Sequence, residues 1–419
     1  MIRSPLLLVV VALGSARHTS AQTQADSAAA SWVSAHAIPF SLDGDGPVPG
    51  LAALVARSRL IGVGESVHDQ HEFLVMRFRL LRSLVARHRV TALVMESGLP
   101  EAIALDRWVT GQSETVDFDA ALKYGFGGHA EVRETMQWLR RWNLGPGKRH
   151  PVRVYGVDLP SSAGSIIPAL DRLVELAAAD AALVTWINTT VRPLAARPSG
   201  AFWRPASIKY DSLSQAAKDS LRSVVAELVT KTRGRSDWES RLALVAQQTE
   251  TMLRFGAYHP INPRDQAMAA NTEWVLSHQR PGDRVVLWAH NAHVQRVPIA
   301  GPPVPGGGSS PSMGTMLRAK LGAGYVAIGT SYGGPSVDST AAPVVGSVDE
   351  LLSRSTKTAP FLVPLQRRPA AGPVRAWLDT KRPMRFQAGH LNLVLDQAFD
   401  GVIYFRQVRP ADPASHDDE

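Results

Sequence analysis

Glu65 and His68 stand three residues apart in the segment Gly64-Glu65-Ser66-Val67-His68. A carboxylate this close to an imidazole fixes its tautomer and raises its basicity, which is the arrangement of a general base. The plainer alternative is a glutamate capping a helix with a histidine on the helix surface. His290-Asn291-Ala292-His293 brings two more imidazoles three residues apart. These could bind a metal, hydrogen-bond an oxyanion or shuttle a proton, and spacing leaves the three roles open. Glu96 and Asp158 each close an apolar run, where a carboxylate is costly unless it meets a polar cleft or a cation. Arg77 is the expected cation. It follows His68 by nine residues, about two and a half helical turns, so the two share a face only if His68 lies in the turn before a helix.

The elements that must position these groups are written in the same stretches. Leu60 to Gly64 runs into Glu65, Ala92 to Met95 into Glu96, Val152 to Val157 into Asp158, and Val285 to Ala289 into His290. Short β-rich runs separated by long helical patterns predict an α/β fold, a mostly parallel sheet covered by helices, which places ligands beyond the carboxyl ends of its strands. Strands are expected to begin near residues 58, 90, 152, 284, 324, 360 and 400. Phe73, Met76, Leu80, Leu81, Leu84 and Val85 recur at helical steps after Glu65, and further helices are expected from Pro100, over Val132 to Trp142, and over Asn262 to His278. Residues 165–258 hold helical pattern and no strand candidate, and read as a helical insertion or cap. The Gly- and Pro-rich stretch Pro298 to Gly314 reads as a mobile lid or as disorder. The resulting plan is an N-terminal arm over 22–48, one catalytic domain over 49–410 and a disordered tail over 411–419.

Residues 1–21 read as a secretory signal, with Arg3, the apolar run Leu6 to Leu13, and Thr19-Ser20-Ala21 before the expected cleavage. The run is too short to span a bilayer, so export to a periplasm or beyond is expected, with no membrane span after cleavage. The chain has no cysteine, which excludes disulfides, a thiol nucleophile and thiolate metal sites. Its net charge of +8 is spread along the chain without basic runs or interleaved aromatics, which argues against nucleic-acid binding. Gly306-Gly307-Gly308 lacks the Lys-Ser/Thr pair of a phosphate loop, and no Gly-x-Ser-x-Gly elbow of a serine hydrolase occurs.

Taken together, several segments resemble the erythromycin esterase family. They are Gly64-Glu65-Ser66-Val67-His68, Arg77, Met95-Glu96, Gly156-Val157-Asp158, the run Arg264-Asp265-Gln266-Ala267-Met268-Ala269-Ala270-Asn271, Trp288-Ala289-His290-Asn291-Ala292-His293, Ser312-Met313-Gly314, and Phe399 to Phe405. They follow the family's order over nearly all of the chain after residue 50. The resemblance implies hydrolysis of an ester, with a macrolide lactone among the candidates, on a fold unrelated to the serine α/β-hydrolases. It implies His68 as the base that activates water, Glu65 and Glu96 as positioning carboxylates, and Arg77, His290 and His293 as further catalytic groups. Asp158, Arg264 and Asn291 are expected to bind substrate. Phe126-Gly127-Gly128-His129 departs from the tryptophan-rich sequence often found there in the family, which marks a different pocket wall.

Function is therefore expected to be that of an exported hydrolase acting on a small-molecule ester, with no cofactor. Two alternatives remain. One is a metal-dependent hydrolase of another ester or amide, in which His68, His290 or His293 and the glutamates hold Zn²⁺ or Mn²⁺. The other is a binding protein that holds a large apolar ligand without turning it over.

Overall fold

Strand by strand, apolar side chains alternate between two cores, one on each face of a sheet. In the computed structural model, which describes residues 24–415 apart from 124, 161–163, 196–209, 211–212, 257–258, 301–307, 335–341 and 388, Val286 and Trp288 pack into one core while Val285, Leu287 and Ala289 pack into the other. Such alternation follows from the two-residue period of a strand, and only a sheet covered on both faces keeps both sets dry. The strands are β1 (Ile38–Pro39), β2 (Leu60–Glu65), β3 (Val90–Gly98), β4 (Arg153–Asp158), β5 (Arg284–His290), β6 (Tyr325–Tyr332), β7 (Phe361–Pro364), β8 (Arg382–Phe386), β9 (Gly389–Leu393) and β10 (Gly401–Phe405).

Eight of them form one sheet in the order β1-β7-β10-β6-β2-β5-β3-β4. Pairing is parallel from β10 through to β4, and antiparallel only where β7 meets β10 and β1. The seven expected strands all form, so the α/β reading with a mostly parallel sheet holds. Two features were not expected. The arm contributes β1 to the sheet edge, and β8 and β9 make a separate antiparallel hairpin.

Helices fill the crossovers, among them His71–Arg87, Leu99–Val109, Ala130–Leu144 and Pro263–Ser277. Between β4 and Pro263 the described residues are helical, with Gln215–Thr232 and Asp237–Phe255 as the long pair, and they build a third core from Leu170, Leu173, Leu228, Leu242 and Val245. Ser236 and Glu239 start the second of that pair with a reciprocal capping box.

The signal segment lies outside the described residues. So does the centre of the Pro298 to Gly314 loop, but its flanks are ordered by the pairing of Ile299 with Ser310 and by a helix beginning at Met313. The expected disordered tail needs correction over 411–415. Ala411 N donates to Asp69 O and Ala414 N to Gly128 O, so backbone hydrogen bonds fasten residues 411–414 across two loops. No helix among the described residues is long and apolar enough to cross a membrane.

Candidate active site

Glu65 ends β2, His290 ends β5, Glu96 lies near the end of β3 and Asp158 ends β4, and these four strands are adjacent in the sheet. Glu65 and His290 are direct register partners. The β3–β4 register shifts between Met95 and Gly98, and such an irregularity re-aims the side chains around it, here Glu96. Gly64 is required by close approach: a Cβ there would sit 2.2 Å from Asn291 Oδ1 and 2.9 Å from Val294 Cγ2.

The helix after β2 begins only at His71, so His68 does lie in the preceding turn. Its Nδ1 stands 2.6 Å from Glu65 Oε1. Arg77 Nη1 lies 2.9 Å from Glu65 Oε2 as an ion pair, while Arg77 Nη2 donates to the carbonyls of Val63 and Ala289. Arg77 therefore meets Glu65 and the strand ends instead of His68, and with 2% exposure its role is to position Glu65. Burial works against a proton on His68, but the Glu65 carboxylate outweighs it, helped by Glu96 and Asp69, and the imidazole pKa is raised above its ordinary value. With Nδ1–H held by Glu65, Nε2 is the nitrogen left for proton transfer.

Glu96 anchors a second group. Its Oε2 accepts the His290 N–H at 2.7 Å and its Oε1 accepts from Arg264 Nη2 at 2.7 Å, with His293 Nε2 at 3.3 Å. Arg264 also clasps both oxygens of Asp158. His293 Nδ1 donates to Asp265 Oδ1 at 2.8 Å. Burial disfavours charge on His293, yet Asp265 and Glu96 push its pKa up to about 10. Arg264 Nη1, 3.0 Å from Nε2, opposes that proton, and the charges of Asp265 and Glu96 outweigh it. Glu96, although burial opposes its charge, is held well below the usual carboxylate range by His293 and Arg264.

His290 behaves differently. Its Nε2 donates to Ser66 O at 2.9 Å and its Nδ1 accepts from Ala292 N at 3.2 Å. Burial, then the His68 charge, drive its pKa well below the ordinary value, so it is a neutral brace between the two catalytic turns. Asn291 spends its amide on Thr330, donating to its carbonyl at 2.8 Å and accepting from its N–H at 3.1 Å. Of the residues expected to bind substrate, Asn291 staples β5 to β6, and Asp158 with Arg264 holds Glu96 in place.

Two contributors escaped the sequence reading. Asp265 was visible beside Arg264 but had no apolar strand to flag it. Phe386, at the end of β8, packs edge-on to His290 at 4.6 Å between ring centroids, and Gln387 N donates to Ser66 O. Phe126, in the segment that departs from the family, is buried and edge-on to His68 at 5.9 Å, where it forms part of the wall. At the rim, the His290 nitrogens and the Nδ1 atoms of His68 and His293 are all hydrogen-bonded to protein partners. A cleft of about 340 Å³ lined by Tyr155, Trp238 and Trp274 lies at the opposite, amino end of the strands and takes no part in this chemistry.

Comparison with known proteins places this arrangement. The family model described as Erythromycin esterase matches residues 85–408. The chain belongs to the erythromycin esterase family. Erythromycin esterase type II of Escherichia coli is 25% identical over 428 residues, covering 88% of this chain and 96% of the relative. Among solved structures, a succinoglycan biosynthesis protein superposes with a TM-score of 0.78 at 19% identity, covering 94% of this chain and 98% of that one. An erythromycin esterase mutant in its open conformation gives 0.67 at 20% identity, with coverages of 86% and 94%. These structural likenesses carry the fold, and family membership supports hydrolysis of an ester at the level of the family.

Proposed function

We propose that the chain hydrolyses a small-molecule ester by attack of a water that His68 deprotonates. The contact that supports this reading is Glu65 Oε1 to His68 Nδ1, braced on the other side of the carboxylate by Arg77. His68 Nε2 takes a proton from water, the hydroxide adds to the ester carbonyl, and the resulting imidazolium is stabilised by Glu65. Collapse of the tetrahedral intermediate breaks the acyl C–O bond, and the leaving alkoxide takes the proton back from Nε2. His293, whose Nε2 lies 3.3 Å from Glu96 on the same rim, is the cation assigned to the developing oxyanion.

A macrolide lactone is the first substrate to test, because relatives in the family carry erythromycin esterase in their names. The decisive experiment is a panel of macrolides and simple esters incubated with purified protein, with and without chelator, and read by mass spectrometry for the gain of one water. Turnover that survives chelation and disappears in His68→Gln is expected. Ligand retained without product, or activity that depends on added metal, would overturn the reading. Export is part of the same proposal, and N-terminal sequencing of protein from the expressing cell's periplasm or medium should find the chain starting after Ala21.

A further inference from the structure

Away from the catalytic rim, three segments distant in sequence bring His71, Glu131 and Asp412 together. Their ligand atoms all lie within 4.8 Å of one another. His71 opens the helix after the catalytic turn, Glu131 lies in the first turn of Ala130–Leu144, and Asp412 belongs to the C-terminal segment. His71 Nδ1 is 2.5 Å from Glu131 Oε1 and 3.4 Å from Asp412 Oδ2. Glu131 Oε1 also accepts from Asp412 N at 3.0 Å. Asp412 is further held by the exposed Arg409, through both carboxylate oxygens.

One atom in this cluster is unsatisfied. Glu131 is 5% exposed, and its Oε2 is buried without a hydrogen-bond partner. A buried carboxylate oxygen with no donor is costly, and a divalent cation is a species that satisfies it without a donor hydrogen. One imidazole nitrogen and two carboxylates make a ligand set suited to Zn²⁺ and its neighbours. Zinc bonded to such atoms at about 2.0–2.2 Å holds them roughly 3.4 Å apart, so the His71–Glu131 pair would open by almost 1 Å and the His71–Asp412 separation would stay as it is. His71 retains one-quarter of its side-chain surface, which gives an ion access from solvent. The two helix N-termini oppose a cation, and the paired carboxylates offset them.

We propose that His71, Glu131 and Asp412 form a divalent-cation site, of zinc type, that pins the C-terminal segment onto the loops flanking the catalytic turn. Those loops already carry the fastening hydrogen bonds from His71 N to Arg409 O, from Ala130 N to Asp412 O and from Ala411 N to Asp69 O. The ion would sit where His71 Nδ1 and Glu131 Oε1 now meet. Its role is to hold the segment, and the water activated by His68 is a separate matter.

The test is calorimetric titration of the metal-free full-length chain with ZnCl₂, in parallel with thermal unfolding. Expected are one bound equivalent, a Tm higher by a few degrees at saturation, and at least a tenfold loss of affinity in Asp412→Asn and in Glu131→Gln. Asp412 is half-exposed, so its variant keeps the fold and serves as the cleaner arm. His68→Ala should bind zinc as the parent does. Absence of saturable binding, binding indifferent to Asp412→Asn and Glu131→Gln, or binding lost in His68→Ala instead would each overturn the site.

Discussion

At the scale of single residues, the base is tuned by what surrounds it. Because a general base must be neutral and the Glu65 charge raises the His68 pKa against the effect of burial, the acid limb of kcat/KM should lie above the ordinary imidazole value of 6.5. Glu65→Gln removes the raising charge, so the limb should move to lower pH while the plateau falls; a limb that stays in place would detach Glu65 from His68. Replacing His68 itself by Gln should lower turnover by about 10² to 10⁴, the usual contribution of a positioned base. His293 makes a separate prediction through stability. Its folded pKa of about 10 exceeds the unfolded value, so its contribution is full below about pH 6.5 and fades as pH rises through 10. The cost of His293→Ala, measured by urea unfolding, should thus shrink from near-neutral to alkaline pH, and a constant cost would refute the imidazolium. Sequence showed these ionisable types and their strand ends, because each interrupts an apolar run. It could not show that both His290 nitrogens are consumed by Ser66 and Ala292, since backbone partners leave no mark on residue type.

At the scale of elements, apolar runs of strand length identified β2 to β7 and β10, whereas β1 and the β8–β9 hairpin passed unseen. Arg382-Pro383-Met384-Arg385-Phe386 has no apolar continuity, because the hairpin lies outside the doubly covered sheet. Tertiary contact, such as Phe386 against His290, gives it its place. Gly64 tests how tightly the catalytic turns are set against each other. A methyl group there would displace the Asn291 side chain that ties β5 to β6, and through it the His290 brace. Gly64→Ala should cost about 1–3 kcal/mol in unfolding free energy, as overpacking does, and should lower kcat more than it raises KM. Parent-like stability and turnover would mean that the two turns have slack.

At the scale of the whole molecule, residues 65, 96, 158 and 290 meet because β5 inserts between β2 and β3, so that the strands ending in these groups stand side by side. The catalytic side chains are carried by those strands, the turns after them and the helix Pro263–Ser277, all on the sheet body. The helical block has its own core, which touches the body through Leu99 and Ile103 in the helix after β3 and through Trp238, which packs on Tyr155 and Trp274. A core so nearly self-contained should open on its own below the free energy of global unfolding. Leu242 is fully buried there, and Leu242→Ala should remove about 2–5 kcal/mol from that unit. Hydrogen exchange read by mass spectrometry should then accelerate over residues 215–255 while β2 and β5 exchange as in the parent, and kcat should stay within a few-fold of the parent value because no catalytic group lies in the block. Acceleration shared equally by β2 and β5 would make the body and the block one cooperative unit, and the helices would then have to be counted among the supports of the active site.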